Sequence, residues 1–178
     1  MVNQIFDSFE RTEFSDEIFA IFGRVLTVAT RFDASTRTLE MLLSFKKEVS
    51  DKNDTLDNDE YQEMLLKLRK KYKSLDQAIK FLPFNENIKK KLHRAKKSRN
   101  ELIHEATFGA TNGFDHMDSE ELSQHLDYIE KLVLKVIRCE AMISTIISIE
   151  NKDPISCYLF SKEYEDKYVS WVMERFEE

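Results

Sequence analysis

Residues 89–105 read KKKLHRAKKSRNELIHE, with seven Lys or Arg between Lys89 and Arg99, no acid among them, and His104 five residues further on. These are the residue types needed to hold a phosphodiester and move a proton on it. A guanidinium forks onto two phosphate oxygens, and an imidazole trades a proton near neutral pH. On a helix, His104 lies about 140° round and ~7.5 Å along from Arg99, whereas Asn100 shares the His104 face at i, i+4. Cleaving RNA without a metal takes three acts: removing the 2′-hydroxyl proton, stabilising the extra charge on phosphorus, and protonating the departing 5′-oxygen. Arg99 suits the second. One His cannot be base and acid at the same moment, but a two-fold contact would bring two copies of His104 and of Arg99 together.

The apolar seam of this helix runs Ile88, Leu92, Ala95, then Arg99, then Leu102 and Ala106. An arginine therefore fills a slot where the four-three spacing expects a hydrophobe. A guanidinium cannot shed its charge and is costly to bury alone. Two arrangements accommodate it: an ion pair with an acid at the bundle edge, or a solvated cleft shared with a second subunit.

The elements that must position this helix are themselves helical. Ser15 is a candidate N-cap for a helix running to about Val49, with Ile18, Phe22, Val25, Ala29, Phe32, Thr36, Leu39 and Leu43 on one stripe. Residues 1–14, with Ile5, Phe6 and Phe9, form a docking segment before it. The acidic stretch at 50–60, SDKNDTLDNDE, reads as a loop. It is a poor calcium loop, because Leu56 stands where the sharp turn needs Gly and Gln62 where the bidentate Glu belongs.

A second helix spans about Asn58 to Lys73. Ser74 with Gln77 opens a shorter one ending near Pro83, and Asn85 caps the motif helix. Gly109 and Gly113 place a loop at 107–117, and Asp118 with Glu121 makes a capping box for a long helix to about Ile149. Its seam, Leu122, Leu126, Ile129, Val133, Val136, Ile143 and Ile147, is interrupted by Glu140. After Pro154 a last helix carries Phe160, Tyr164, Tyr168 and Trp171 along one side. Together these elements predict an all-α, up-and-down bundle of five to six helices in one domain over 1–178.

Composition agrees. The 178 residues suffice for one core, and three Gly with two Pro leave few breakers. Cys139 and Cys157 have no metal or redox spacing, and His116 and His125 lack a regular ligand pattern beside Asp115, Asp118 and Asp127. No metal or cofactor is expected. No stretch reaches the roughly 18 uncharged apolar residues of a membrane span, and no signal-type N-terminus is present, which predicts a cytoplasmic chain without membrane contact. The formal charge is −6, yet setting aside the seven cations of 89–99 leaves 20 basic against 33 acidic residues, or −13. A cationic strip can still capture RNA when salt screens distant acids beyond roughly 8 Å. Lys89, Lys90, Lys91, Arg94, Lys96 and Lys97 are the residues expected to guide it.

The hexapeptide RNELIH at 99–104, late in a helix of an all-helical chain, resembles the motif of the HEPN superfamily, in which an Arg, usually followed by a polar residue, precedes a His by four to six positions. The resemblance implies a homodimer with paired motifs at its two-fold interface. It also implies a metal-independent endoribonuclease of toxin–antitoxin or antiviral systems, held by an antitoxin or other regulatory protein. On that resemblance Arg99 and His104 are catalytic and Asn100 fills the polar position. Members that pair with minimal nucleotidyltransferase antitoxins carry a Tyr two residues after the His; here that position is Ala106, so regulation through such a Tyr is not expected. Two other readings stand beside this one: a non-catalytic helical dimer binding nucleotide, RNA or protein, and an assembly protein whose Arg99 sits in a structural ion pair.

Overall fold

The computed structural model describes residues 13–52, 57–71, 74–109 and 117–174. The docking segment with Ile5, Phe6 and Phe9 lies outside the described residues, as do His116 and most of the Gly-containing loop. Among the described residues there are six α-helices, one short 3-10 turn and no strand, so the expected all-α bundle is what forms.

Helix α1, Glu13–Lys52, is the 40-residue spine. It begins two residues before Ser15, which is therefore inside the helix rather than its cap. The predicted stripe faces inward, with Val25, Ala29, Phe32, Thr36 and Leu39 fully buried. Burying a side chain the size of Phe32 or Leu39 contributes about 1.5–3 kcal/mol, so this stripe is a main source of the fold's stability.

Helix α2, Asn58–Lys71, starts at a capping box that cuts the expected acidic loop short. The Glu60 amide donates to Asp57 Oδ1 at 2.9 Å, and the Asp57 amide donates to Glu60 Oε2 at 3.3 Å. It packs Met64 and Leu68 inward, while Tyr61 meets Phe45 of α1 edge-on at 5.3 Å.

Helix α3, Leu75–Phe81, is capped by Ser74, whose Oγ accepts from the Gln77 amide at 3.2 Å. The motif helix α4, Glu86–Gly109, opens where Asn85 Oδ1 accepts from the Ile88 amide at 3.0 Å. It runs three residues into the predicted 107–117 loop. Helix α5, Ser119–Asn151, shows the full Asp118–Glu121 capping box and ends at Lys152 in the left-handed region, φ 62°.

Beyond it a 3-10 turn, Cys157–Phe160, precedes α6, Lys162–Met173, so Phe160 belongs to the turn and not to the last helix. Helix α6 also stops on a left-handed non-glycine, Glu174 at φ 58°. Arg24 of α1 secures that end by donating Nε to the Val172 carbonyl and Nη2 to the Glu174 carboxylate, both at 2.9 Å. A cation at a helix C-terminus is favourably placed against the helix dipole.

Side-chain bridges set the directions. Lys91 to Cys139, Glu101 to Tyr128 and Glu105 to His125 make α4 and α5 antiparallel. Arg31 to Glu140 and Lys46 to Glu150 make α1 and α5 parallel. Helix α4 thus lies against both long helices, and its inner face (Leu92, Ala95, Leu102) is sealed by Phe32, Ile129, Val133 and Val136 within one core.

Candidate active site on helix α4

The four-three spacing of α4 aims position 99 at α1, and the acid it meets there is Asp33. Arg99 Nη2 donates to Asp33 Oδ2 at 2.8 Å, with the side chains 22% and 14% exposed. The arginine is thus neither deeply buried nor free. Asp33 is itself fixed from below by Arg37, which donates Nε to Oδ1 at 2.5 Å and Nη2 to Oδ2 at 3.2 Å. One carboxylate accepts from two guanidinium groups.

The other edge of the Arg99 fork turns along its own helix. Nη1 donates to Asn100 Oδ1 at 3.1 Å, while Nε is buried without an acceptor. Asn100 lies about 100° round from Arg99, toward the side of His104. The amide therefore shortens the 140° gap: Asp33, Arg99 and Asn100 form a bonded chain whose last member stands one turn below His104. Asn100 and His104 are both exposed.

The flanking carboxylates are tied to α5. Glu101 Oε2 accepts from the Tyr128 hydroxyl at 3.2 Å, and Glu105 Oε2 lies 3.3 Å from His125 Nε2. Desolvation, followed by that hydrogen bond, pushes the Tyr128 hydroxyl pKa upward. Ala106, partly buried, packs against the core.

The basic track divides in two. Lys90, Lys91, Arg94 and Lys97 are exposed. Of these, Lys90, Arg94 and Lys97 recur at i, i+4 and i+7, and with His104 they fall within an arc of about 80° on the solvent face. Lys97 lies 3.8 Å from Glu101 across one turn. Lys89 and Lys96 instead serve the packing of α3: Lys89 Nζ donates to the Lys80 carbonyl at 2.9 Å, and Lys96 Nζ bonds the Asp76 carboxylate. His93 stands 3.6 Å from the same carboxylate. The hydrogen bond from Lys96, then its charge, lowers the Asp76 pKa. Four of the six predicted RNA-guiding cations are thus displayed to solvent, and two are partly engaged within the protein.

A second constellation was only half visible in sequence. Glu140, the polar break in the α5 seam, is 2% exposed and accepts from Arg31 Nε at 2.9 Å and from Ser144 Oγ at 3.1 Å. Its signal was the acid in an apolar seam; its partner, 109 positions earlier, gave none. Among the described residues no group of three or more His, Cys, Asp or Glu is placed to hold a metal ion, and no helix is long and apolar enough to cross a membrane.

The fold and site define an all-α bundle presenting Arg, Asn and His from a single helix. Compared with family models, with curated proteins and with solved structures, the chain matches none.

Proposed function

We propose that the protein is a metal-independent endoribonuclease of the HEPN type, working as a two-fold dimer in which the α4 helices of two subunits face one cleft. The observation that carries this reading is the chain Asp33–Arg99–Asn100 ending one turn from an exposed His104, at the end of the exposed stripe Lys90, Arg94, Lys97.

The chemistry asked of these groups balances. One neutral His104 takes the proton of the 2′-hydroxyl as that oxygen attacks phosphorus. The bond to the 5′-oxygen breaks, leaving a 2′,3′-cyclic phosphate, and the protonated His104 of the second subunit gives its proton to the leaving oxygen. Arg99 stabilises the negative charge that builds on the non-bridging oxygens, and Asp33 holds the guanidinium where that charge appears. The exposed cations lead the phosphate backbone to the cleft. A toxin or antiviral effector, restrained by a partner protein, is the setting this activity suits.

The test is cleavage of a purified RNA in EDTA by wild type, Arg99→Ala and His104→Ala, with fold checked by circular dichroism and dimer by sedimentation. Activity in the wild type and its loss in both variants is the expected result. Undiminished cleavage by either folded, dimeric variant would overturn the mechanism.

A second reading draws on the ion pair itself. Because Asp33 already engages Arg99, the guanidinium can serve the fold alone, and the displayed cations would then make a non-catalytic binding face for RNA, nucleotide or an acidic protein. Salt-sensitive RNA binding without cleavage products is the result that favours it.

A further inference from the structure

Arg31 and Asp33 are two residues apart on α1 and so point about 200° apart. On the Arg31 side, away from the proposed RNase site, α1, the 3-10 turn and α6 border an open, shallow cleft of about 530 Å³ lined by Arg31, Tyr158, Tyr164, Lys167, Tyr168 and Trp171. That size falls within the roughly 300–1,000 Å³ typical of small-molecule pockets.

Its wall is an aromatic ladder. Tyr158 meets Tyr164 at 5.7 Å, Tyr164 meets Tyr168 at 5.7 Å, and Tyr168 meets Trp171 at 5.8 Å between ring centroids, each edge to face. Tyr158 and Trp171, at its two ends, are 39% and 40% exposed. At the lip stand two cations. Arg31 is 57% exposed and Lys167 is 72% exposed, the latter 5.8 Å above the Tyr158 ring. Buried Glu140 grips Arg31 by Nε, and among the described residues this is the one hydrogen bond Arg31 makes. The two Nη groups, the edge that forks onto an oxyanion, are left for a ligand.

We propose that this cleft is a nucleotide-binding site, with the base stacked on the exposed ring of Trp171 and the phosphate held by Arg31 and by Lys167 where it stands over Tyr158. Aromatic rings offer a platform to any base, and cations beside them supply the anion contact. A covering helix would have to bury both cations along with the rings, which is costly. A cationic guest of the aromatic cage would be repelled by the same pair. Glu163, 3.1 Å from Lys167, and Glu140 subtract from the local positive charge, so binding is modest and salt-sensitive. The site goes beyond the endoribonuclease reading and shares no residue with it.

Trp171 is the only tryptophan, so its fluorescence reports on the cleft directly. Titration of the full chain with adenosine 5′-monophosphate should quench it saturably, with adenosine binding about tenfold more weakly and added salt closing that gap. Tyr158→Ala and Lys167→Ala should each weaken the nucleotide about fivefold or more while leaving circular dichroism and sedimentation unchanged. Arg31→Lys, which keeps the charge over Glu140 but loses the fork, should do the same. His104→Ala should bind as wild type, which separates this site from the α4 motif. Absence of saturable quenching, equal affinity for adenosine, loss of quenching in His104→Ala, or conversion of a dimer to monomers by the cleft variants would each overturn the proposal.

Discussion

Asp33 Oδ2 accepts from Arg99 across 66 positions of chain at 2.8 Å, while Arg37 holds the same carboxylate from one turn further along α1. The carboxylate fixes where the guanidinium points without reaching RNA itself, which makes Asp33 a positioning residue in the endoribonuclease reading. Asp33→Asn should lower the single-turnover cleavage rate about tenfold or more with little change in RNA affinity, and Asp33→Glu should restore part of it. Equal rates in wild type and Asp33→Asn would remove Asp33 from that role.

Arg31→Ala should destabilise the fold by about 1–3 kcal/mol, read as a lower urea midpoint. Exposed Arg31 itself gains little from the ion pair. The cost comes from Glu140, 2% exposed, which would keep Ser144 as hydrogen-bond donor and lose its cation. Arg31→Ala/Glu140→Gln should recover much of the loss because the uncompensated charge is gone. A double variant no more stable than the single one would show that lost packing, not charge, set the cost.

Arg138 and Glu165 form a two-bond fork, 2.7 Å on each side, between α5 and α6. The hydrogen bond from Arg138 is the main cause that holds the Glu165 pKa below its ordinary value, against the opposing effect of burial. A depressed carboxylate pKa stabilises the folded state at pH above the unfolded value, roughly 4.3, and that contribution fades as pH falls through the lower folded value. The stability gap between wild type and Arg138→Ala should therefore be flat above about pH 5 and shrink below about pH 4, with a plateau of about 1 kcal/mol or less because Arg138 is 58% exposed. A gap that widens in acid would contradict this linkage.

Local signals carried most of the architecture. The α1 stripe, the Ser74 and Asn85 caps and the Asp118–Glu121 box are set within one or two turns, and each stands where its spacing placed it. Position 99 was equally legible as an anomaly, since an arginine in an apolar seam must meet something. What it meets was not legible: Asp33 is 66 positions away, and its own seam gives no hint of pairing. Lys89 and Lys96 looked identical to Lys90 and Lys97 in a charge run, and only the docking of α3 distinguishes them. Likewise Phe160 matched the aromatic period of α6, but the 3-10 turn ending at Phe160 takes it off the ladder and Tyr158 takes its place. Helix α4 persists through Gly109 because a glycine permits a helix stop without enforcing one.

Since α1 and α5 point the same way, no tight turn can join them, and the intervening chain must travel back before the core can close. The Arg31–Glu140 bridge spans 109 positions and Arg24–Glu174 spans 150. During synthesis the apolar stripe of α1 would leave the ribosome long before α5 completes its cover, so until then only the helices between them can shield it.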